Sequence, residues 1–400
     1  MKLLKILMIL VLILFPFGEL LRWDLGGNVV LKPLDVAVGL VAVIFFIKNS
    51  PFSIFHFPFV KPVLCFALVG LVSLLLNLTW LKLHDFWASS LYLVRWVAYA
   101  MLFPVILSFD EKFKKKLLAL LFIDGLIILS AGYLQFVFFN SLKSLYYLGW
   151  DDHMYRMFTV FLDPNFAGAL LVLFALFLAG VITHHLQKKE SKMSAYIGVL
   201  LVIVIVAVFL TFSRSALLML VAGSVTFLFL TKRKRLIFGV LGVVSLFIIV
   251  ASLSSNIESM NPFRINSSKA RLGNYSTALR LIHDRPLLGV GFDSYRYAKD
   301  AYGIRQGWAK SSSHADAGVD NSFLFVLVTT GVVGLSVYLW LWFAILKRAF
   351  YLYKKNANVI AIVVVSSTAG LFVDAMFINS LFFPAIMLWM WVIIGLMENK

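Results

Sequence analysis

Apolar residues come in stretches of about 20 along the whole chain, separated by mostly short polar connections. Each stretch is long enough to cross a bilayer core. The pattern predicts twelve helices, over about 3–21, 29–47, 62–80, 86–108, 117–139, 165–183, 194–212, 215–230, 236–253, 320–345, 357–376 and 379–396, with ends good to a few residues. A membrane β-barrel would show shorter segments of alternating hydrophobicity instead. The expected fold class is therefore all-α, a polytopic membrane protein forming one integral domain over residues 1–400. The first stretch has the look of a signal peptide. It lacks a small-residue cleavage site and many more spans follow, so it reads as a retained span.

One polar interval breaks the rhythm. Residues 254–319 run between the ninth and tenth stretches and hold six arginines: Arg264, Arg271, Arg280, Arg285, Arg296 and Arg305. Within it, apolar residues (Ala278, Leu279, Leu281, Ile282, Leu287, Leu288) alternate with charged ones. That spacing suggests amphipathic helices on a membrane surface. A solvated loop with scattered charge is the plainer alternative.

Charge then orients the chain. Alternate loops carry the lysines: Lys2 and Lys5; Lys48 and Lys61; Lys112 and Lys114 to Lys116; Lys188, Lys189 and Lys192; Lys232 to Arg235; Lys347 to Lys355. The positive-inside rule puts these, and both termini, in the cytoplasm, and so puts 254–319 outside. A loop of about 65 residues is largely exempt from that rule, so topology does not account for its arginines. They outnumber its lysines six to three, and arginine is the better residue for bidentate phosphate contacts. The net charge of +17 sits largely in short topological loops and does not point to nucleic acid. The lone cysteine, Cys65, allows no disulfide within the chain.

Other polar residues qualify the picture. Arg95 falls inside the fourth stretch, where it is either functional or part of an internal ion pair. Arg214 stands between the seventh and eighth, where it serves a site or snorkels to the surface. A smaller external loop supplies Arg156 and the turn Asp163-Pro164-Asn165, which also reads as a helix N-cap. No acidic cluster suggests a metal site. Gly331 and Gly334 read as helix-packing positions.

Three motifs fall in order: Ser213-Arg214-Ser215-Ala216; Arg271-x-x-x-Tyr275 followed by Pro286-Leu287-Leu288-Gly289-Val290-Gly291; and Asp320-Asn321-Ser322-Phe323-Leu324 followed by Thr330-Gly331-Val332-Val333-Gly334-Leu335. This set resembles the O-antigen ligase and O-antigen polymerase family of bacterial envelope glycosyltransferases, most strongly over 210–335. The resemblance implies a multi-pass enzyme of the bacterial inner membrane that needs no cofactor. Its donor would be a glycan on a polyprenyl diphosphate, and its acceptor a lipid-linked repeat unit (polymerase) or lipid A-core (ligase). By resemblance Arg214 and Arg271 engage the diphosphate; Arg280 and Arg156 are further external guanidiniums that could join them. Ligases of the family typically carry a His-Asn pair where this chain has Asp320-Asn321, which favours the polymerase; His314, six residues earlier, could approach the same place.

The chemistry sets two demands. Charge growing on a diphosphate leaving group needs preorganised cations. An acceptor hydroxyl needs a base, and Asp320 or His314 fits by position. Asp320 could equally be only the N-cap of the tenth helix. A transporter or flippase is the main competing class; it should show internal repeats and broken helices near the midplane.

Overall fold

The computed structural model describes residues 1–26, 29–49, 55–254, 266–304 and 318–398. It is 77% helical, and its strands are a two-stranded hairpin, β1 (Trp23–Asp24) with β2 (Val30–Leu31). Each of the twelve apolar stretches contains a helix. In order these are α1 (Lys2–Leu14), α2 (Pro33–Lys48), α3 (Val60–Leu76), α4 (Leu83–Ala100) continued by α5 (Leu102–Leu107), α6 (Glu111–Phe138), α7 (Pro164–Gln187), α8 (Ser191–Leu210), α9 (Arg214–Leu230) and α10 (Leu236–Ser254). Two helices of the polar interval follow, α11 (Asn266–Asp284) and α12 (Tyr295–Ala301). The chain ends with α13 (Ser322–Asn356), α14 (Val359–Asp374) and α15 (Pro384–Leu396). Among the described residues, five helical segments are long and apolar enough to cross a membrane: 83–107, 111–138, 164–187, 191–210 and 322–356. Five further apolar helices have 10–17 residues.

Burial follows composition. Every residue of α15 is buried, and it is apolar all round, as a helix enclosed by others must be. It packs beside α5, α7 and α14, and α9 packs on α14. By contrast only 28% of the apolar window of α8 is buried, so α8 lies at the rim and turns most of its apolar surface outward. Local caps start the inner helices. Asp163 accepts from the Asn165 and Phe166 amides ahead of Pro164, and Ser213 accepts from Ala216 N–H.

The interval expected to be an external loop is partly built into the bundle. Along α11, Ala278 and Leu281 are fully buried and Tyr275 and Ile282 pack beside them, while Leu272, Leu279 and Arg280 face outward. The segment Pro286–Gly291 then enters a break in α13. Gly331 sits at φ 66°, ψ −172° and divides that helix in two. The Val290 and Gly291 amides donate to the carbonyls of Val328 and Thr329, and the Val332 and Val333 amides donate to Pro286 and Leu287. The inserted turn therefore supplies partners to the interrupted helix, as irregular backbone buried in a membrane protein requires. Asn77 of α3 adds a bond from its Nδ2 to the Gly289 carbonyl at 3.1 Å.

Gly331 was expected to permit close packing, and here the approach is backbone to backbone. A Cβ at that position would stand 2.1 Å from the Leu287 oxygen, at a φ that L-residues avoid. Gly331→Ala should cost about 3 kcal/mol or more. A thermal melt followed by size-exclusion in detergent should show a large drop or no folded peak. Gly239→Ala, with nothing near its Cβ, is the control and should melt as wild type.

Candidate active site

A cavity of about 530 Å³ opens among the helix ends that carry the motifs. Asp320 and Arg271 line it together with Asp163, Asn165 and Asn379. A second wall holds Tyr92, Arg95 and Asp293, and the β1–β2 region contributes Glu19, Arg22 and Lys32.

Asp320 is freed for this cavity by its neighbour. Asn321, not Asp320, caps α13: its side chain accepts from Leu324 N–H at 2.9 Å. The expectation of Asp320 as a cap is thereby corrected, since the helix begins at Ser322, one residue later than that role needs. Asn274 Nδ2 lies 3.5 Å from Asp320 Oδ2 and donates to the Gly318 carbonyl at 3.2 Å. Tyr295 O–H donates to Asn274 Oδ1 at 2.6 Å, fixing that amide from behind. Tyr275 O–H lies 2.8 Å from the carbonyls of both Asp320 and Met376, tying α11 to the start of α13 and the end of α14. Burial raises the pKa of Asp320 above the ordinary carboxylate value, against the pull of Arg271 and Asn274. Desolvation outweighs the guanidinium. A carboxylate moved up in this way is a stronger base.

Arg271 is the hub. Its charge acts on Asp320, on Asp374 and on Arg214. Arg214 is the first residue of α9, at the amide end of that helix, which itself attracts anions. Two guanidiniums close enough to repel each other are stable together when an anion sits between them.

The other named arginines are placed differently. Arg280 follows Arg271 by nine positions, about half a turn around the helix cylinder, and is exposed on the opposite face of α11. It does not line the cavity. Arg156 is not a surface guanidinium but 5% exposed, with Nε donating to the Thr211 carbonyl at 2.8 Å and Nη2 to Phe212 at 3.4 Å. It holds the turn that presents Arg214, and so acts on the site through that turn. His314, Arg264 and Arg305 lie outside the described residues. Arg95 pairs with Asp35 at 3.4 Å, as the internal-pair reading expected, and also faces the cavity.

Several site residues were not singled out from the sequence. Asp374, fully buried at the end of α14, stands beside Ser215 and Ser380 with neither oxygen in hydrogen-bond geometry. A carboxylate at the end of an apolar run was the available signal. Asn379 and Asp293 carried none, being ordinary polar residues of turns.

The geometry offers a guanidinium and a basic carboxylate on one cavity, with a second guanidinium, Arg214, outside its lining but within electrostatic reach of the first. That set can stabilise a leaving phosphate while a hydroxyl is deprotonated. Residues 199–339 match the family model described as O-antigen ligase, roughly a third of the chain. The match runs from within α8 to the first half of α13, and so takes in Arg214, Arg271, Asp293 and Asp320. No curated protein matches the chain significantly.

Proposed function

We infer the function from one premise: the chain belongs to the O-antigen ligase and O-antigen polymerase family. Its substrates are lipid-linked glycans and its setting is a bacterial membrane. The protein is then a glycosyltransferase of envelope polysaccharide synthesis that takes its donor glycan from a polyprenyl diphosphate. The observation that carries this reading is the shared cavity of Arg271 and Asp320, with Arg214 within electrostatic reach of Arg271.

In the reaction an acceptor hydroxyl oxygen bonds to the anomeric carbon of the donor. The anomeric C–O bond breaks, and its electron pair leaves on the lipid diphosphate. Asp320 takes the hydroxyl proton, and Arg214 and Arg271 stabilise the charge that grows on the leaving group. The chain crosses the inner membrane twelve times with both termini in the cytoplasm, and residues 254–319 lie on the outer side, where the donor is presented.

The polymerase is the reading we favour, because a carboxylate stands at position 320. The ligase is the second reading, supported by the description of the matching family. Transport is less well supported. The break in α13 is a transporter-like feature, but the backbone of Pro286–Gly291 enters it and bonds to both half-helices. Deleting the gene and running the envelope glycan on a gel separates the readings. The expected pattern is loss of long chains with single repeats still attached. Complete loss of attached glycan would make the protein a ligase, and an unchanged ladder would remove it from this pathway.

A further inference from the structure

The donor chemistry accounts for one wall of the cavity and leaves the other without a role. That other wall is built on α4. Ser89, Tyr92 and Trp96 recur at helical spacing, and Arg95 adjoins them. Arg95 Cζ lies 4.3 Å from the centre of the Tyr92 ring, so the ring covers one face of the guanidinium. One of its nitrogens is directed at Asp35, 3.4 Å away, and Asp35 is itself held by Tyr99 O–H at 2.7 Å. A guanidinium fixed on two sides presents its remaining donors in one direction.

Asp293 is brought to the same wall by a turn pinned to the same helix. Ser89 Oγ donates to the Asp293 carbonyl at 3.4 Å and lies 3.1 Å from Ser294 Oγ. Asp293 has a left-handed backbone, φ 55°, following Gly291 at φ 104°. Ser294 N–H closes the turn on the Gly291 carbonyl at 3.0 Å. Protein surrounds the carboxyl, and it keeps accessible surface because it faces the cavity. Arg95 and Asp293 feel each other's charge. Phe292, Phe325 and Phe382 pack together at 5.1–6.3 Å between ring centres and line the cavity beside them.

We propose that Asp293 and Arg95 form a seat for a neutral sugar ring of the acceptor glycan. A fixed donor fork beside a fixed acceptor matches adjacent sugar hydroxyls, each of which both gives and takes a hydrogen bond. The phenyl edges and Tyr92 suit the apolar C–H face of a pyranose. Glu19 is already paired with Lys32 and Arg22, and Asp293 feels the charge of Arg95, so this wall presents mixed, mutually compensated charge rather than a field of one sign that would select a charged sugar. The assignment to the acceptor rests on the proposed function: the diphosphate end of the donor belongs to Arg271 and Arg214. Burial moves the Asp293 pKa up to about 7, which makes its carboxylate a better partner for a hydroxyl proton.

Saturation-transfer NMR on the full chain, in a detergent without sugar headgroups, tests the seat directly. The probes are methyl glucoside, methyl galactoside and methyl N-acetylglucosaminide, with inorganic pyrophosphate binding measured in parallel. At least one glycoside should bind wild type. Its affinity should fall about tenfold or more in Asp293→Asn and in Arg95→Gln, the equivalent of a lost charge-assisted bond. Pyrophosphate binding should persist in Asp293→Asn, which also shows that the variant is folded, and should be lost in Arg271→Ala. Unchanged glycoside binding in Asp293→Asn, or no binding of any of the three to wild type, would overturn the proposal. Undiminished pyrophosphate binding in Arg271→Ala would count against the donor reading alone, so the two failures are told apart.

Discussion

Replacing Asp320 by Asn is expected to lower turnover by roughly two to four orders of magnitude, the usual contribution of a positioned general base. The fold should survive. Asn321 supplies the cap of α13, so nothing in that helix depends on the Asp320 charge. The Asn side chain can still accept from Asn274, whose amide lies 3.5 Å from Oδ2. The melting temperature in detergent should therefore be close to that of wild type. Acidity gives a second readout. Because burial raises the Asp320 pKa, wild-type activity should fall on acidification at a pH above the ordinary carboxylate range, where the base takes up its proton. The residual activity of Asp320→Asn should lack that limb. Near-wild-type turnover in Asp320→Asn would move the base elsewhere; a dead His314→Ala variant beside it would move it to His314 and favour the ligase.

Arg271→Lys should be almost as damaging as Arg271→Ala. Removing one preorganised donor from a developing oxyanion costs about 10²–10³ in turnover. Lysine keeps the charge but loses the planar fork that grips two phosphate oxygens at once. Its position sharpens the expectation, because Arg271 shares the cavity with Asp320, the proposed base. Arg214→Lys should behave likewise. Arg280→Ala should leave turnover unchanged, since that side chain is exposed on the far face of α11. Full activity in both lysine variants, measured as transfer by purified protein, would mean that net charge alone suffices.

The helices were legible because each apolar stretch must be a helix wherever its backbone meets lipid. Arg271, Arg214 and Asp320 were singled out through motifs that keep their order; two of them, Arg271 and Asp320, line one cavity, and Arg214 lies outside its lining. Other parts were hidden for physical reasons. A glycine in an apolar run looks the same whether it packs against a helix or breaks one, so the role of Gly331 depended on the partner backbone of Pro286–Gly291. Arg156 looked like a free external cation, because nothing local shows that its guanidinium reaches carbonyls 55 and 56 residues away. Arg280 was in the right interval, and its phase relative to Arg271 gave the answer only once α11 was a continuous helix. The walls of the cavity come from Arg22, Tyr92, Asp163, Asp293 and Asn379, positions spread over most of the chain. No local pattern joins them.

The most direct measurement is transfer of a radiolabelled glycan from its polyprenyl diphosphate by the purified full chain, with product and released lipid diphosphate counted together. The account predicts equal amounts of both from wild type, and neither above background from Arg271→Ala or Asp320→Asn. Transfer that persists in both variants, or a wild-type protein that moves the lipid-linked glycan across a vesicle membrane without cleaving it, would contradict it.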